Sequence, residues 1–288
     1  MNKSILECPI CKSDDCRKNH LCRDMVIYRC GSCGMMFQNP SDNLVVSNAY
    51  AAEMIDKDQS REGIHFSISR TTMGRILSVI HKPIGSLRVL EIGAGAGCLA
   101  SRFVESGVEY TGVEPSKELY RQIIAGKPYL EKRVLNGHID AVPLPQKKYD
   151  LLVMIDTLEH IPNPVEYLRK LKSFLSNDGV MYIEVPNEAL LSLKGAMRRV
   201  LNVYSGYITH PGHVNLFNAN TLHMALSGAG YRAISVSQYS VFGDYNRMQV
   251  ALKGRWAAGC KIACTIFKYS KIDLLMQQGN LSACAKCG

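Results

Sequence analysis

The stretch "RVLEIGAGAGCLA", residues 88–100, runs an apolar strand pattern into glycines at 93, 95 and 97, with a carboxylate, Glu91, just before them. Glycines in such a turn let the backbone bend sharply and approach a ligand closely. Several nucleoside-containing ligands share that need, so the details of the loop decide between them. A dinucleotide fingerprint spaces its glycines G-x-G-x-x-G and sets a pyrophosphate at the helix amino terminus, where a neighbouring carboxylate would repel it. Here the spacing is G-x-G-x-G and Glu91 stands beside it. A ligand carrying an ammonium and a sulfonium, with no phosphate, suits that charge.

Outward from the loop, strand and helix patterns alternate. Strands are expected at "LRVLEIG", "EYTGVEP", "KRVLNG", "YDLLVMID" and "GVMYIEVP", with helices at "ISRTTMGRILSVIHK", "CLASRFVESG", "SKELYRQIIAG" and "PVEYLRKLKSFLSNDG". Such alternation predicts an α/β fold, a Rossmann-like doubly wound sheet with ligands at the carboxyl ends of its strands. The second strand ends in "GVEPS", which places Glu114 21 residues beyond Gly93. A carboxylate there can accept both hydroxyls of a ribose. Two acidic residues at adjacent strand ends fit S-adenosylmethionine.

Residues 70–240 resemble the class I S-adenosylmethionine-dependent methyltransferases: "VLEIGAGAG", "GVEPS", "YDLLVMIDTLEHIPNP" and "GVMYIEVPN" match that family's successive motifs in order. The resemblance implies a seven-stranded sheet whose last strands, "YRAISVSQY" and "NRMQVALK", form an antiparallel hairpin. It also implies cofactor contacts from Glu91, Gly93, Gly95, Gly97, Glu114, Ile139 and Asp156. In "NGHIDAVPLP" His138 stands where the family often carries an acid, and Asp140 follows two residues later, so a backbone contact from Ile139 is the contact carried over to the adenine. His160 in "LEHIP" opens onto the helix-breaking "PNP" and reads as structural.

The amino-terminal segment carries Cys8-x-x-Cys11 and Cys30-x-x-Cys33 with 18 residues between the pairs. That spacing marks a four-thiolate, closed and therefore structural Zn²⁺ site, a zinc-ribbon-like module. Cys16 and Cys22 are left as free thiols, and the pair Cys284 and Cys287 is read as part of a frayed, solvated end. A cysteine module preceding a methyltransferase core resembles a subgroup that methylates sugars and other small metabolites in polysaccharide and natural-product pathways. That implies a small-molecule or sugar/glycan-linked acceptor.

The divisions expected are a zinc-binding module at 1–40, a linker at 41–66, a methyltransferase domain at 67–254 with a lid about 187–217, and a basic amphipathic tail at 255–288. Within the lid, "GHVNLFNANTL" resembles a family motif whose histidine, here His213, acts in proton transfer in some sugar carbon-methylating relatives. The alternative is that His213 and Phe217 anchor the lid while "NANTL" caps the next helix. Tyr204, Tyr207 and His210 are further lid residues that either pack or touch substrate.

Composition bounds these readings. With 288 residues, 47% of them hydrophobic, the chain can bury one full core and a small appendage. Eleven cysteines with no apolar leader pattern argue for reduced thiols and a cytoplasmic setting. The net charge of +9 is scattered, and no cationic stripe interleaves with stacking aromatics, which disfavours the competing RNA methyltransferase. A non-enzymatic scaffold built on the zinc module is disfavoured by the intact Glu91, glycines and Glu114. The tail reads as a packing helix, with a weak membrane-surface contact as the alternative.

Overall fold

The computed structural model describes residues 6–19, 25–39, 62–189, 196, 209–210, 212–239 and 280–287. Three short strands come first: β1 (Cys16–Asn19), β2 (Ile27–Cys30) and β3 (Met36–Phe37), paired antiparallel in that order. Helix α1 (Glu62–Val79) follows, so the helix starts inside what the sequence marked as linker.

The alternating part then runs β4 (Arg88–Ile92), α2 (Cys98–Glu105), β5 (Glu109–Glu114), α3 (Lys117–Gly126), β6 (Val134–Asn136), β7 (Tyr149–Ile155), α4 (Pro164–Leu171) and β8 (Leu175–Pro186). After it come β9 (Asn215–Leu216), α5 (Ala219–Gly228), β10 (Tyr231–Tyr239) and β11 (Asn280–Cys287). The main sheet has seven strands in the order β10-β11-β8-β7-β4-β5-β6. The pairs among β4 to β8 are parallel, and β11 runs against both of its neighbours.

Strand β7, "YDLLVMI", is buried along nearly its whole length, as an apolar run in the middle of a doubly covered sheet must be. On β4 the faces alternate. Val89 packs in the cluster with α1, α2 and α3 residues such as Ile76, Phe103 and Ile123. Leu90 and Ile92 join the opposite cluster with Leu168 of α4 and Leu222 of α5. Helix α4 begins with Pro164 at its first position and buries Val165, Leu168 and Leu171, the stripe that faces the sheet.

Two expectations are corrected. The helix pattern read through "LSNDG" ends at Leu171, and residues from Leu175 already belong to β8. Leu175 pairs with Tyr149 and the register then jumps so that Val180 pairs with Leu151, leaving "SNDG" as a bulge. The pair Cys284 and Cys287 is no frayed end: residues 280–287 form β11, between β8 and β10. Its alternate residues Leu281, Ala283 and Ala285 are fully buried against the sheet's core face. Small side chains at a two-residue period fit that crowded interior position. The expected strand "NRMQVALK" lies outside the described residues, as do Tyr204, Tyr207, Cys22, residues 41–61 and the tail 255–279. Among the described residues no helix is long and apolar enough to cross a membrane.

Candidate functional site

The glycine turn leaves β4 at the carboxyl edge of the sheet. Gly93, Gly95 and Gly97 all hold positive φ, at +80°, +53° and +71°, the region in which L side chains are strained. Space separates their roles. A Cβ on Gly93 would lie 2.5 Å from the Thr157 hydroxyl, whereas one on Gly95 would meet nothing within 4 Å. Gly93 is therefore small because the next strand's turn packs on it, and Gly95 faces open room.

Glu114, at the end of β5 and 4% exposed, braces this loop. Its Oε2 accepts the Gly95 N–H and its Oε1 accepts the Ser116 N–H, both at 2.8 Å. Burial raises its carboxyl group's pKa, and the two backbone donors oppose that rise. Each carboxylate oxygen keeps a second lone pair for a ligand hydroxyl.

Glu91 sits differently from the expectation that its charge stands open beside the ligand. It is 2% exposed, and its Oε2 accepts the Tyr110 hydroxyl at 2.5 Å on the face covered by α1 to α3. Burial pushes it up to about 8, against the Tyr110 hydrogen bond and with help from Glu114. In the ligand-free protein it is thus largely protonated at neutral pH. Ile139 is buried beyond β6, while His138 and Asp140 beside it are exposed and Asp140 pairs with Lys170. A cleft of about 550 Å³ along residues 139–148 and Ser173–Phe174 includes Ile139, but none of the glycine turn, Glu114 or His213. Asp156 ends β7 in a left-handed conformation, φ +46°, with its amide on the Glu184 carbonyl. A non-glycine residue held in that region marks a constrained, commonly functional position.

The turn after Asp156 joins the glycine loop to a second group of side chains. Thr157, packed on Gly93, shares its hydroxyl proton between the carbonyls of Ile155 and Ile92. A 3₁₀ turn, Leu158–His160, follows directly. Its Glu159 is 1% exposed, neither carboxylate oxygen has a hydrogen-bond partner among the described residues, and Oε1 lies 3.8 Å from His213 Nε2. His213 Nδ1 also lacks a partner among the described residues. His160 donates through Nδ1 to the Gly212 carbonyl at 2.8 Å and sets its ring edge-on to His213, centroids 5.0 Å apart. His210 stacks on His213 at 4.4 Å, and its Nδ1 accepts the Gly212 N–H.

Burial holds all three imidazoles neutral: it lowers His160, takes His210 to about 4, and with the neighbouring rings takes His213 to about 2. It drives Glu159 the other way, well above the carboxylate range, with Asp156 and Glu188 adding to the rise. The sequence reading made His213 either a proton-transfer residue or a lid anchor. The structure gives it a buried carboxyl neighbour and a much weaker basicity in the resting state.

The segment carrying His213 is pinned on both sides. Asn215 donates to the Ile161 carbonyl at 2.6 Å, the Glu188 amide donates to the Phe217 carbonyl, and Phe217 is buried in the main core. Asn218 caps α5 in a reciprocal capping box with Thr221, as "NANTL" suggested. Glu159 was missed in sequence because a lone acid in "TLEHIP" reads as solvated. The bulky apolar residues flanking the turn were the available signal that it is not.

The four amino-terminal thiols converge. Cys8 and Cys33 sulfurs are 3.6 Å apart, Cys11 and Cys30 sulfurs 3.5 Å, and all four lie within 4.8 Å of one another. A tetrahedron with Zn–S of about 2.3 Å has S···S edges of about 3.8 Å, so the set fits that ion. The two knuckles repeat one geometry. The residue after the second cysteine, Lys12 or Gly34, has positive φ and returns its amide to the first cysteine's carbonyl. Cys16 turns its thiol to the Ser13 carbonyl and stays outside the set.

A doubly wound sheet with a glycine turn and an acid at the next strand end defines an α/β protein built to hold a nucleoside-bearing cofactor. The chain belongs to the methyltransferase-domain family, which it matches over residues 58–236. Among curated proteins it is similar to the ubiquinone biosynthesis O-methyltransferase of Bradyrhizobium diazoefficiens, 28% identical over 108 residues that cover 36% of this chain and 42% of that one. That of Haemophilus ducreyi is 26% identical over 110 residues, covering 36% and 47%. The chain thus spans less than half the length of these relatives. Among solved structures, a methyltransferase from Thermotoga maritima superposes with a TM-score of 0.52 at 15% identity, over 82% of this chain and 97% of that one. One from Archaeoglobus fulgidus gives 0.51 at 21%, over 76% and 94%. These likenesses show the fold.

Proposed function

We propose that the protein transfers the methyl group of S-adenosylmethionine to a hydroxyl, or to a carbon beside a carbonyl, on a small molecule. A sugar or glycan-linked acceptor is the preferred class. One observation carries the reading: buried Glu159 and half-buried His213 stand one 3₁₀ turn from the residue that packs on Gly93. The names of the curated relatives support a small acceptor that is methylated on oxygen.

Glu114 and the backbone of Gly93 to Gly97 would hold the cofactor, with Ile139 and Asp156 beside its nucleoside, and the open room over Gly95 is consistent with that. When bound, the cofactor supplies a methyl group on a sulfonium, a good leaving group, so the protein's main task is alignment. Glu91, beneath the loop, gains a reason to ionise when a cation is present. Toward the acceptor, His213 is neutral, and its Nδ1, covered in the resting protein, has no partner among the described residues. The form of the pair that acts as a base is the one from which a single proton has left to solvent, a Glu159 carboxylate with the Nε2–H of His213 toward it; Nδ1 then takes the acceptor's proton and the imidazolium is left beside that carboxylate. A pair of charges at this separation gains about 4 kcal/mol at an effective dielectric of about 20, which offsets the burial that makes the resting ring a weak base. The ion pair contains the same number of protons as the resting neutral pair, so each turnover starts with the loss of one proton from the pair and ends with its replacement by the acceptor's, and Glu159 and His213 titrate as one unit. The four cysteines would hold a structural Zn²⁺.

A screen with methyl-labelled cofactor against nucleotide sugars, small phenols and RNA tests the reading. We expect transfer to one of the first two classes, and a loss of about a hundredfold or more in turnover for His213→Gln with the S-adenosylhomocysteine affinity kept. Transfer to RNA alone, or full turnover of the variant, would overturn it.

A further inference from the structure

The strand that follows His213 does not belong to the seven-stranded sheet. β9 pairs with β3 of the cysteine module, Met36 opposite Leu216 and Phe37 opposite Asn215, so the four-stranded sheet β1-β2-β3-β9 is composite. The next residue, Gln38, is 3% exposed and reaches further back along the same segment. Its amide donates to the Val214 carbonyl at 2.8 Å, and its side-chain Nε2 donates to the His213 carbonyl at 2.7 Å. Leu216 is buried among Met25, Ile27 and Met36. Behind β3, Cys8, Cys30, Met35 and Phe37 share one apolar cluster with Phe217 and Leu222.

We propose that the four-cysteine module is the positioning element of the acceptor side: through β3 and Gln38 it fixes the backbone of His213, so metal loading of the cysteines governs where that imidazole stands. The inference rests on the reading that His213 faces the acceptor and that the thiols bind Zn²⁺. Gln38 touches no reacting atom and acts only through His213. The thiols reach His213 by a short path, covalent as far as Gln38 and hydrogen-bonded from there. Cys30 closes β2, the second knuckle turns at Gly34, Cys30 N–H bonds the Met35 carbonyl, and β3 and Gln38 come next. A knuckle that loosens without its ion releases the strand on which β9 depends. Among the described residues the glycine loop and Glu114 have no hydrogen bond to the module; β4, β5 and Thr157 hold them.

The test uses the full chain and needs no acceptor. Hydrogen exchange by mass spectrometry is followed in peptides spanning 212–218 and 88–97, for protein as purified, after chelator treatment, and for Gln38→Met and Gln38→Leu. Metal content, S-adenosylhomocysteine affinity and the ¹³C-labelled His213 imidazole resonance are measured on the same samples. Stripping zinc and removing the Gln38 donor should each speed exchange in 212–218 by about tenfold and shift the His213 resonance. Exchange in 88–97 and ligand affinity should stay within about twofold of the starting protein. Unchanged exchange and an unchanged resonance in both arms would overturn the proposal. So would an equal loosening of 88–97, because the module would then support the whole fold and not His213 in particular. Protein purified without zinc would defeat the metal reading alone, and the Gln38 variants would still decide whether the module positions His213.

Discussion

Replacing Glu114 separates its observed brace of the glycine loop from the cofactor contact proposed for it. In the free protein its two oxygens hold the amides of Gly95 and Ser116, each at 2.8 Å, in a position 4% exposed. Glu114→Ala leaves both donors without an acceptor. A buried unmade hydrogen bond costs about 1–3 kcal/mol, and water entering the space left by the side chain recovers part of it. The net loss expected is about 2–3 kcal/mol of stability, a fall of about 5–10 °C in melting temperature for a domain of this size. Loss of a charged acceptor for two ribose hydroxyls adds a binding penalty of about 1.5–3 kcal/mol, or about ten- to a hundredfold in affinity. Glu114→Gln retains one acceptor oxygen but turns an NH₂ toward one amide, so it should fall between wild type and Ala on both scales. The assay is calorimetric titration with S-adenosylhomocysteine beside thermal melts of the free proteins. A lowered melting temperature with unchanged affinity would refute the cofactor contact and leave Glu114 as a brace of the loop alone.

The glycines should divide in the same two measurements. Gly93→Ala drives a Cβ against the Thr157 hydroxyl and should lower the melting temperature more than Gly95→Ala does. Gly95→Ala, with strain of about 1–2 kcal/mol from its positive φ and nothing to strike, should mainly weaken ligand binding; equal melts for the two would refute the packing argument. Asp150 is 7% exposed at the start of β7. Burial raises its carboxyl group's pKa, but Arg88 and then Lys82 more than reverse this and hold it well below the usual range. Its folded pKa lies below its unfolded one, so its stabilisation is full above about pH 4 and is lost as pH falls toward the folded value. Asp150→Asn should destabilise the protein near neutrality and flatten the acid limb of the stability curve below about pH 4, as checked by urea titrations at several pH values.

The central sheet was legible because local pattern and tertiary position agree there: an apolar run such as "LLVM" has no exposed face in a doubly covered sheet, and none is seen. The two knuckles were legible because their geometry is set within four residues. What escaped depends on partners distant in sequence. "NLSACAKC" is short-chained and mildly polar, and only its insertion between β8 and β10 makes its alternation meaningful. The bond from Gln38 to His213 spans 175 residues, and neither residue type announces it. Glu91 was read by charge, yet its surroundings decide its protonation. A carboxyl shut in with Tyr110 keeps its proton to about pH 8 until something cationic compensates.

That last point bears on how the two halves of the site divide their electrostatics. Glu91 and Glu159 are buried, His210 and His213 are half-buried and His160 is exposed, and desolvation favours the uncharged form of each in the resting protein. Each half can still develop charge when an oppositely charged neighbour arrives. A cation near the glycine turn favours ionised Glu91, and a proton accepted by His213 favours ionised Glu159. The stabilisation appears only as the partner charge does, which is the condition for assisting a reaction instead of merely binding its ground state. The supports for the two halves differ: the parallel strands and Thr157 hold the glycine turn, whereas the composite sheet with Gln38 adds to the Asn215–Ile161 and His160–Gly212 bonds in holding His213. Perturbing the cysteine module should therefore change the behaviour of His213 without moving the pH at which Glu91 titrates. A substitution at Tyr110 should do the reverse.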